Sequence, residues 1–364
     1  MTTAATNERL ERLTKLGTSI WLDQIQRSLT QTGELARMVE EESLRGMTSN
    51  PAIFEKAILG SEDYNDVIAK ADKSDDARAI YQEIAIGDVQ DACDVLRTVW
   101  DSTGGYDGYV SLEVDPDLAD DSDKTIEQAR EYWSRVDRPN LMIKIPGTDA
   151  GLGPIQTALY EGININVTLL FAVSSYSRVI DAFLGAMQQR LAEGKDLNVH
   201  SVASFFVSRV DTEVDKRLEA LGNTELQGKA GLANARAAYR LYLEVFKGQR
   251  FKELADAGCP VQRPLWASTG TKNEAYSDVL YVDGLAGPET VNTMPMATLH
   301  AAADHSEVTT ETVKIDPSED LAALAAAGID LDDVTDKLLR DGIEAFVTPM
   351  KKLLEGIETK RAAV

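Results

Sequence analysis

Short β-branched or apolar runs recur along the chain, separated by longer stretches with helical periodicity. The runs occupy residues 19–25, 46–49, 109–114, 141–146, 163–170, 199–207, 264–269 and 290–294. Amphipathic segments at 75–100, 122–136, 174–191 and 207–221 fill intervals between them. Residues 278–285 (DVLYVDGL) have strand propensity, but the strand that follows needs a crossover, so they are read as a helix. Strands that alternate with helices pair in parallel, and eight such units close into a (β/α)8 barrel of the TIM type. The competing architecture is a doubly wound open sheet, yet no G-x-G-x-x-G follows the first strand.

The pattern predicts one barrel domain over residues 1–364, with its core at about 16–305 and additional helices at both ends. Beyond position 305 the chain becomes acidic and alanine-rich, and residues 331–357 read as a long amphipathic helix that packs back on the barrel. Length alone leaves one or two domains open for 364 residues, so the strand count decides. A hydrophobic fraction of 43% with 27% charged residues is that of a chain able to bury a core.

A formal charge of −23 argues against nucleic acid or an anionic membrane as partner, because phosphate polymers need clustered Lys and Arg. Cys93 and Cys259 have neither disulfide-framework nor zinc-site spacing, and His200, His300 and His305 lack metal-ligand spacing. No metal or organic cofactor is expected. The N-terminus carries charges of both signs without an apolar core, and no apolar run reaches membrane-span length, so a cytoplasmic protein, monomeric or homodimeric, is expected.

Strands of a parallel barrel are buried on both faces, so their polar residues carry information. In LMIKIP, Leu141, Ile143 and Ile145 share one face and Met142 with Lys144 the other, with Lys144 near the strand's C-terminal end, where barrel enzymes keep their chemistry. A lysine there is either an ion-paired structural residue or an amine able to attack a carbonyl. The same parity puts Asn166 and Thr168 opposite Ile165, Val167 and Leu169, Ser111 and Glu113 opposite Leu112 and Val114, and Asp23 opposite Ile20 and Leu22. Each unpaired buried polar group costs about 1–3 kcal/mol, which makes function the better explanation of their convergence. Asn50 in TSNP caps a helix with Pro51 at its first position, on the catalytic face, where its amide can also meet a substrate. Arg209 after the sixth strand, with Ser204, and Ser268 with Lys272 after the seventh, form a plausible anion site on late βα loops. Taken singly, Arg209 paired with Asp211 and Lys272 at the surface are the plainer alternatives.

These residues sit in an ordered series of motifs, GMTSNPAIFEKAI, VSLEVDP, NLMIKIPGT, ININVTLLF, SVASFFVSRVD and WASTGTKN, spanning about 16–305. In this the chain resembles the transaldolases of the longer bacterial type, within the Schiff-base aldolases. The resemblance implies transfer of a dihydroxyacetone unit from sedoheptulose 7-phosphate to glyceraldehyde 3-phosphate, giving erythrose 4-phosphate and fructose 6-phosphate in the non-oxidative pentose phosphate pathway. It implies Lys144 as the Schiff-base lysine, Glu113 and Asp23 as acid–base groups, Asn50, Asn166 and Thr168 as hydroxyl-binding groups, and Ser204, Arg209 and Ser268 at the phosphate. The shorter enzymes follow the seventh-strand serine closely with an arginine, and here Lys272 takes that place. Two rivals stand beside this reading: a fructose-6-phosphate-aldolase-like lyase that releases dihydroxyacetone to water, and a non-catalytic sugar-phosphate-binding barrel. Glu113 favours the transferase over the lyase, since aldolase relatives tend to carry an amide there.

Overall fold

The computed structural model describes residues 6–72 and 74–363. Its centre is a closed, all-parallel barrel whose strands follow chain order: β1 (Thr18–Asp23), β2 (Leu44–Thr48), β3 (Tyr109–Glu113), β4 (Leu141–Pro146), β5 (Ile165–Leu170), β6 (Ser201–Phe206), β7 (Gln262–Ala267) and β8 (Thr290–Met294). Closure leaves no exposed sheet edge, and β1 pairs with both β2 and β8. Helices such as Ser122–Val136, Asp149–Glu161 and Val173–Ala192 form the outer layer. The segment with strand propensity before β8 is helical at Leu280–Gly284, as the crossover requires.

Alternation divides the apolar residues into two groups. Ile20, Leu22, Leu112, Leu141, Ile143, Ile145, Ile165 and Val167 point outward and pack with the helices. Trp21, Tyr109, Met142, Val202, Leu265 and Val291 belong to a second group that fills the barrel interior. Gly46 of β2 faces this filling, and a Cβ there would lie 2.5 Å from the Trp21 ring, so only glycine lets the indole occupy the axis. Below the apolar layer, Arg263 donates to Ser19 Oγ at 2.8 Å and Asp107 Oδ1 at 3.0 Å, and Trp21 Nε1 donates to the same carboxylate at 3.2 Å. This plug satisfies a buried charge pair at the N-terminal end of the barrel.

Two local expectations need correction. Strand β7 begins at Gln262 rather than at Pro264, because Gln262 bonds Ser201 and Arg263 joins the plug, which makes polar residues compatible with a buried strand. Leu169 does not share the outward face with Val167. Its φ of +57° and the register shift between Val167 and Leu170 break the alternation, and its side chain joins the interior group.

The C-terminal segment forms a helix, Ser318–Ala326, and then a 33-residue helix, Leu331–Ala363, longer than the periodicity predicts. At 1.5 Å per residue it spans about 50 Å. It packs against the helices Pro51–Gly60, Ala77–Ser102 and Ser208–Ala220 and against β5, which lays it across the C-terminal rim of the barrel. Gly342 permits this approach: a Cβ there would stand 3.1 Å from Leu169 Cδ2.

The close approach at Trp21 gives a direct test. Replacing Gly46 by Ala should destabilise the protein by about 1–3 kcal/mol through overpacking, seen as a lower midpoint in denaturant unfolding. An unchanged midpoint would show that the indole does not fill the axis as described.

Candidate active site

All eight strands deliver their C-terminal ends to one rim, so the last inward-facing residue of each contributes to a common layer. Strand register sets Glu113 beside Lys144 and Lys144 beside Asn166. Lys144 Nζ donates to Glu113 Oε2 at 2.9 Å and to the Ser49 carbonyl at 3.0 Å. Both side chains are almost fully buried, at 4% exposure each. Burial raises the pKa of the Glu113 carboxyl above the ordinary range, against the opposing pull of the Lys144 charge. Its second oxygen, Oε1, and the Thr168 hydroxyl are buried with no hydrogen-bond partner among the described residues.

Asp23 ends β1 and accepts a 2.6 Å hydrogen bond from Thr48, which shares a second one, also 2.6 Å, with Thr293 of β8. Burial raises the Asp23 pKa, and the charge of Lys144 is the largest opposing influence. Asn50 caps the helix Pro51–Gly60 through its side chain, with Oδ1 accepting from Ile53 N at 3.0 Å. The amide nitrogen is then the group left to face the cavity that Asn50 lines.

Asn166 lies beside Lys144, one inward position before Thr168 on its strand. It donates to Ser111 Oγ at 3.0 Å and accepts from Ser204 Oγ at 2.7 Å, so it sets the orientation of Ser204 and does not line the cavity itself. Thr168 and Ser204 do line it, together with Asp23, Asn50 and Lys144.

Opposite Asp23 the wall becomes cationic. Arg209 lies between two aromatic rings, its Cζ 5.2 Å from the Phe206 centroid and 6.0 Å from that of Phe346. It forms no ion pair with Asp211, whose carboxylate instead accepts from Gly231 N at 2.7 Å and the Tyr281 hydroxyl at 2.8 Å. Burial lowers the Arg209 pKa, with Asp23 and Glu113 acting in the other direction. Ser268, just past β7, adopts a φ of +56°, a strained conformation for a serine, and its Oγ lies 2.9 Å from Ser208 Oγ. The Ser208 amide also donates to the Ser268 carbonyl at 3.1 Å, which ties the two loops together. Lys272 is exposed and lines the same cavity. Two cations, two serines and the start of the helix Ser208–Ala220 thus gather on one side of the cavity, a set of groups chemically suited to an anion.

Strand parity thus locates most of this wall, and it also contains what that reading passed over. Thr48 and Thr293 are inward polar residues on barrel strands, the criterion that singled out Ser111, and would have been found by applying it to β2 and β8. Phe346 comes from the distant C-terminal helix and carries no local signal. Among the described residues, no group of three or more His, Cys, Asp or Glu side chains is placed to hold a metal ion, and no helix is long and apolar enough to cross a membrane.

Known proteins resemble the chain along almost its whole length. A family model described as Transaldolase/Fructose-6-phosphate aldolase matches residues 20–357. A transaldolase of Mycobacterium marinum is 48% identical over 370 residues, covering 99% of both chains. A transaldolase of Saccharopolyspora erythraea is 48% identical over 361 residues, covering 97% of each, and one of Mycolicibacterium paratuberculosis is 49% identical over 360 residues, covering 96% of each. With a closed barrel, a buried lysine at its mouth and near-complete coverage by such relatives, the chain belongs to the transaldolase/fructose-6-phosphate aldolase family and is an enzyme of the transaldolase type, a transferase.

Proposed function

We propose that Lys144 forms a Schiff base with a ketose phosphate and transfers its dihydroxyacetone unit to an aldose phosphate. The donor and acceptor are sedoheptulose 7-phosphate and glyceraldehyde 3-phosphate, giving erythrose 4-phosphate and fructose 6-phosphate in the non-oxidative pentose phosphate pathway. The observation that carries this reading is the amine at 2.9 Å from Glu113, buried on the cavity wall, with Asp23 on the same wall.

The free-base amine of Lys144 attacks the C2 carbonyl, and Glu113 passes protons as the carbinolamine loses water to an iminium. The unpaired Glu113 Oε1 and Thr168 Oγ1 support a proton path through a bridging water, which would satisfy both atoms. Asp23 then takes the proton of the C4 hydroxyl, and the C3–C4 bond breaks with its electron pair drawn into the iminium. The aldose leaves, and a three-carbon enamine stays on Lys144. Acceptor binding runs the same steps in reverse. A raised pKa suits Asp23 to this task, because a base that has taken a proton must hold it until the acceptor arrives. Asn50 and Thr168 bind the hydroxyls of the three-carbon unit, and Asn166 acts through Ser204. Arg209, Ser268 and Lys272 take the phosphate, and Arg209 suits that role because its charge is held by rings rather than by a carboxylate.

The barrel core and the C-terminal segment act as one domain in this scheme, supported by the helix Leu331–Ala363 reaching the cavity through Phe346.

Borohydride trapping with fructose 6-phosphate should add mass at one lysine, and Lys144→Met should abolish it; trapping at unchanged stoichiometry would refute the assignment. Asp23→Asn should still form the adduct while cleavage falls by about 10²–10⁴-fold, the usual worth of a general base. The same variant has a stability signature. A raised folded-state pKa means the native protein holds the Asp23 proton more tightly than the unfolded chain, so its burial costs stability as pH rises through that pKa. Asp23→Asn should therefore raise the melting temperature at neutral pH, with the gain vanishing below about pH 4, where both states carry the proton. A melting temperature lowered by the substitution at neutral pH would contradict the desolvation described for Asp23.

A further inference from the structure

The long C-terminal helix contributes one side chain to the cavity. Phe346 is 3% exposed and sits on the same helical face as Gly342, one turn earlier, where the helix touches Leu169. Its ring centroid lies 5.4 Å from Lys144 Nζ and 6.0 Å from Arg209 Cζ, and Phe206 holds the other contact with the guanidinium at 5.2 Å. One ring therefore bridges the amine and the cation of the anion site.

The helix is fastened on both sides of this contact. Toward its start, Arg217 bonds Asp333 at 2.6 Å and Lys337 lies 3.3 Å from Glu213, which attaches it to the helix that carries Arg209. Toward its end, Lys360 donates to the Ser61 carbonyl at 2.7 Å, and Arg361 donates to the carbonyls of Asp72 and Asp75 at 2.6 Å. The span between is held over the rim, so Phe346 has little freedom to withdraw.

We propose that Phe346 is a positioning residue with two linked effects: it holds Arg209 flat for the substrate phosphate, and it roofs Lys144 so that water does not reach the covalent intermediate. This rests on the Schiff-base reading above. An arginine with no carboxylate partner needs another restraint if it is to present a fixed face to an anion, and two aromatic rings supply it without cancelling the charge. Beside the amine, an apolar ring offers no hydrogen bond to water, and the three-carbon unit is more often captured by an aldehyde than lost as free dihydroxyacetone. The C-terminal helix thereby sets both phosphate preference and the balance of transfer against hydrolysis.

Two substitutions separate the effects. Phe346→Leu keeps an apolar roof but removes the π face, so the preference for fructose 6-phosphate over fructose, read as kcat/KM for adduct formation, should fall about 30-fold, the size of a desolvated cation–π contact. Phe346→Ala should also raise dihydroxyacetone release in the absence of acceptor, relative to transfer with erythrose 4-phosphate present. Unchanged phosphate preference in the leucine variant, together with an unchanged release-to-transfer ratio in the alanine variant, would overturn the proposal. The leucine variant carries the test if the alanine variant does not fold. Failure of the Schiff-base reading looks different: the unsubstituted enzyme would then give no borohydride adduct at Lys144.

Discussion

A primary amine and a carboxyl group held 2.9 Å apart inside a closed sheet constrain almost everything around them. Removing such a pair from water costs several kcal/mol per ion, and mutual attraction offsets this only when geometry is good and further hydrogen bonds exist. Lys144 has a second acceptor in the Ser49 carbonyl, whereas one oxygen of Glu113 has no partner among the described residues. The amine thus fixes one oxygen of the carboxylate at the mouth of the barrel.

The rest of the fold can be understood as support for this arrangement. The polar plug at Arg263 and Asp107 and the apolar layer around Trp21 fill the barrel beneath the site and support it. Gly46 exists for the indole, and the indole supports the layer that carries Asp23 and Thr48. Asn166 illustrates the same logic beside Lys144. It turns Ser204 toward the cavity while being fully buried itself. Rigid strands hold Lys144, Glu113 and Asp23, and the loops after β6 and β7, stapled by Ser208 and Ser268, hold Arg209 and Lys272 beside the cavity.

Charge is divided sharply between surface and site. The chain carries a formal charge of −23, yet Arg209 and Lys272 face the same cavity. In an acidic protein such a pocket stands out as a local reversal of field, which favours small anions at the mouth while the acidic exterior repels polyanions. The aromatic rings around Arg209 keep its charge available instead of neutralising it.

Much of this was legible from residues alone because strand parity is local. Lys144, Glu113 and Thr168 declare their inward direction by the apolar neighbours on either side, Asp23 by its alternation with Ile20 and Leu22, and the eight-fold alternation of strand and helix names the barrel that joins them. The departures arise where long-range partners change the local rule. Leu169 turns inward because a left-handed residue breaks the β5 ladder, and Gln262 and Arg263 are strand residues because partners far away in the chain satisfy them. Phe346 lies more than 130 positions from Arg209 in sequence and touches it only because a helix crosses the rim, so no window along the chain could reveal it. The sequence by itself determined the barrel, its polar rim and the identity of the buried amine, since these follow from periodicity within single elements. Which groups meet at contact distance, which cation goes unpaired and what covers the cavity were decided by tertiary packing, because those depend on distances between elements that periodicity does not encode.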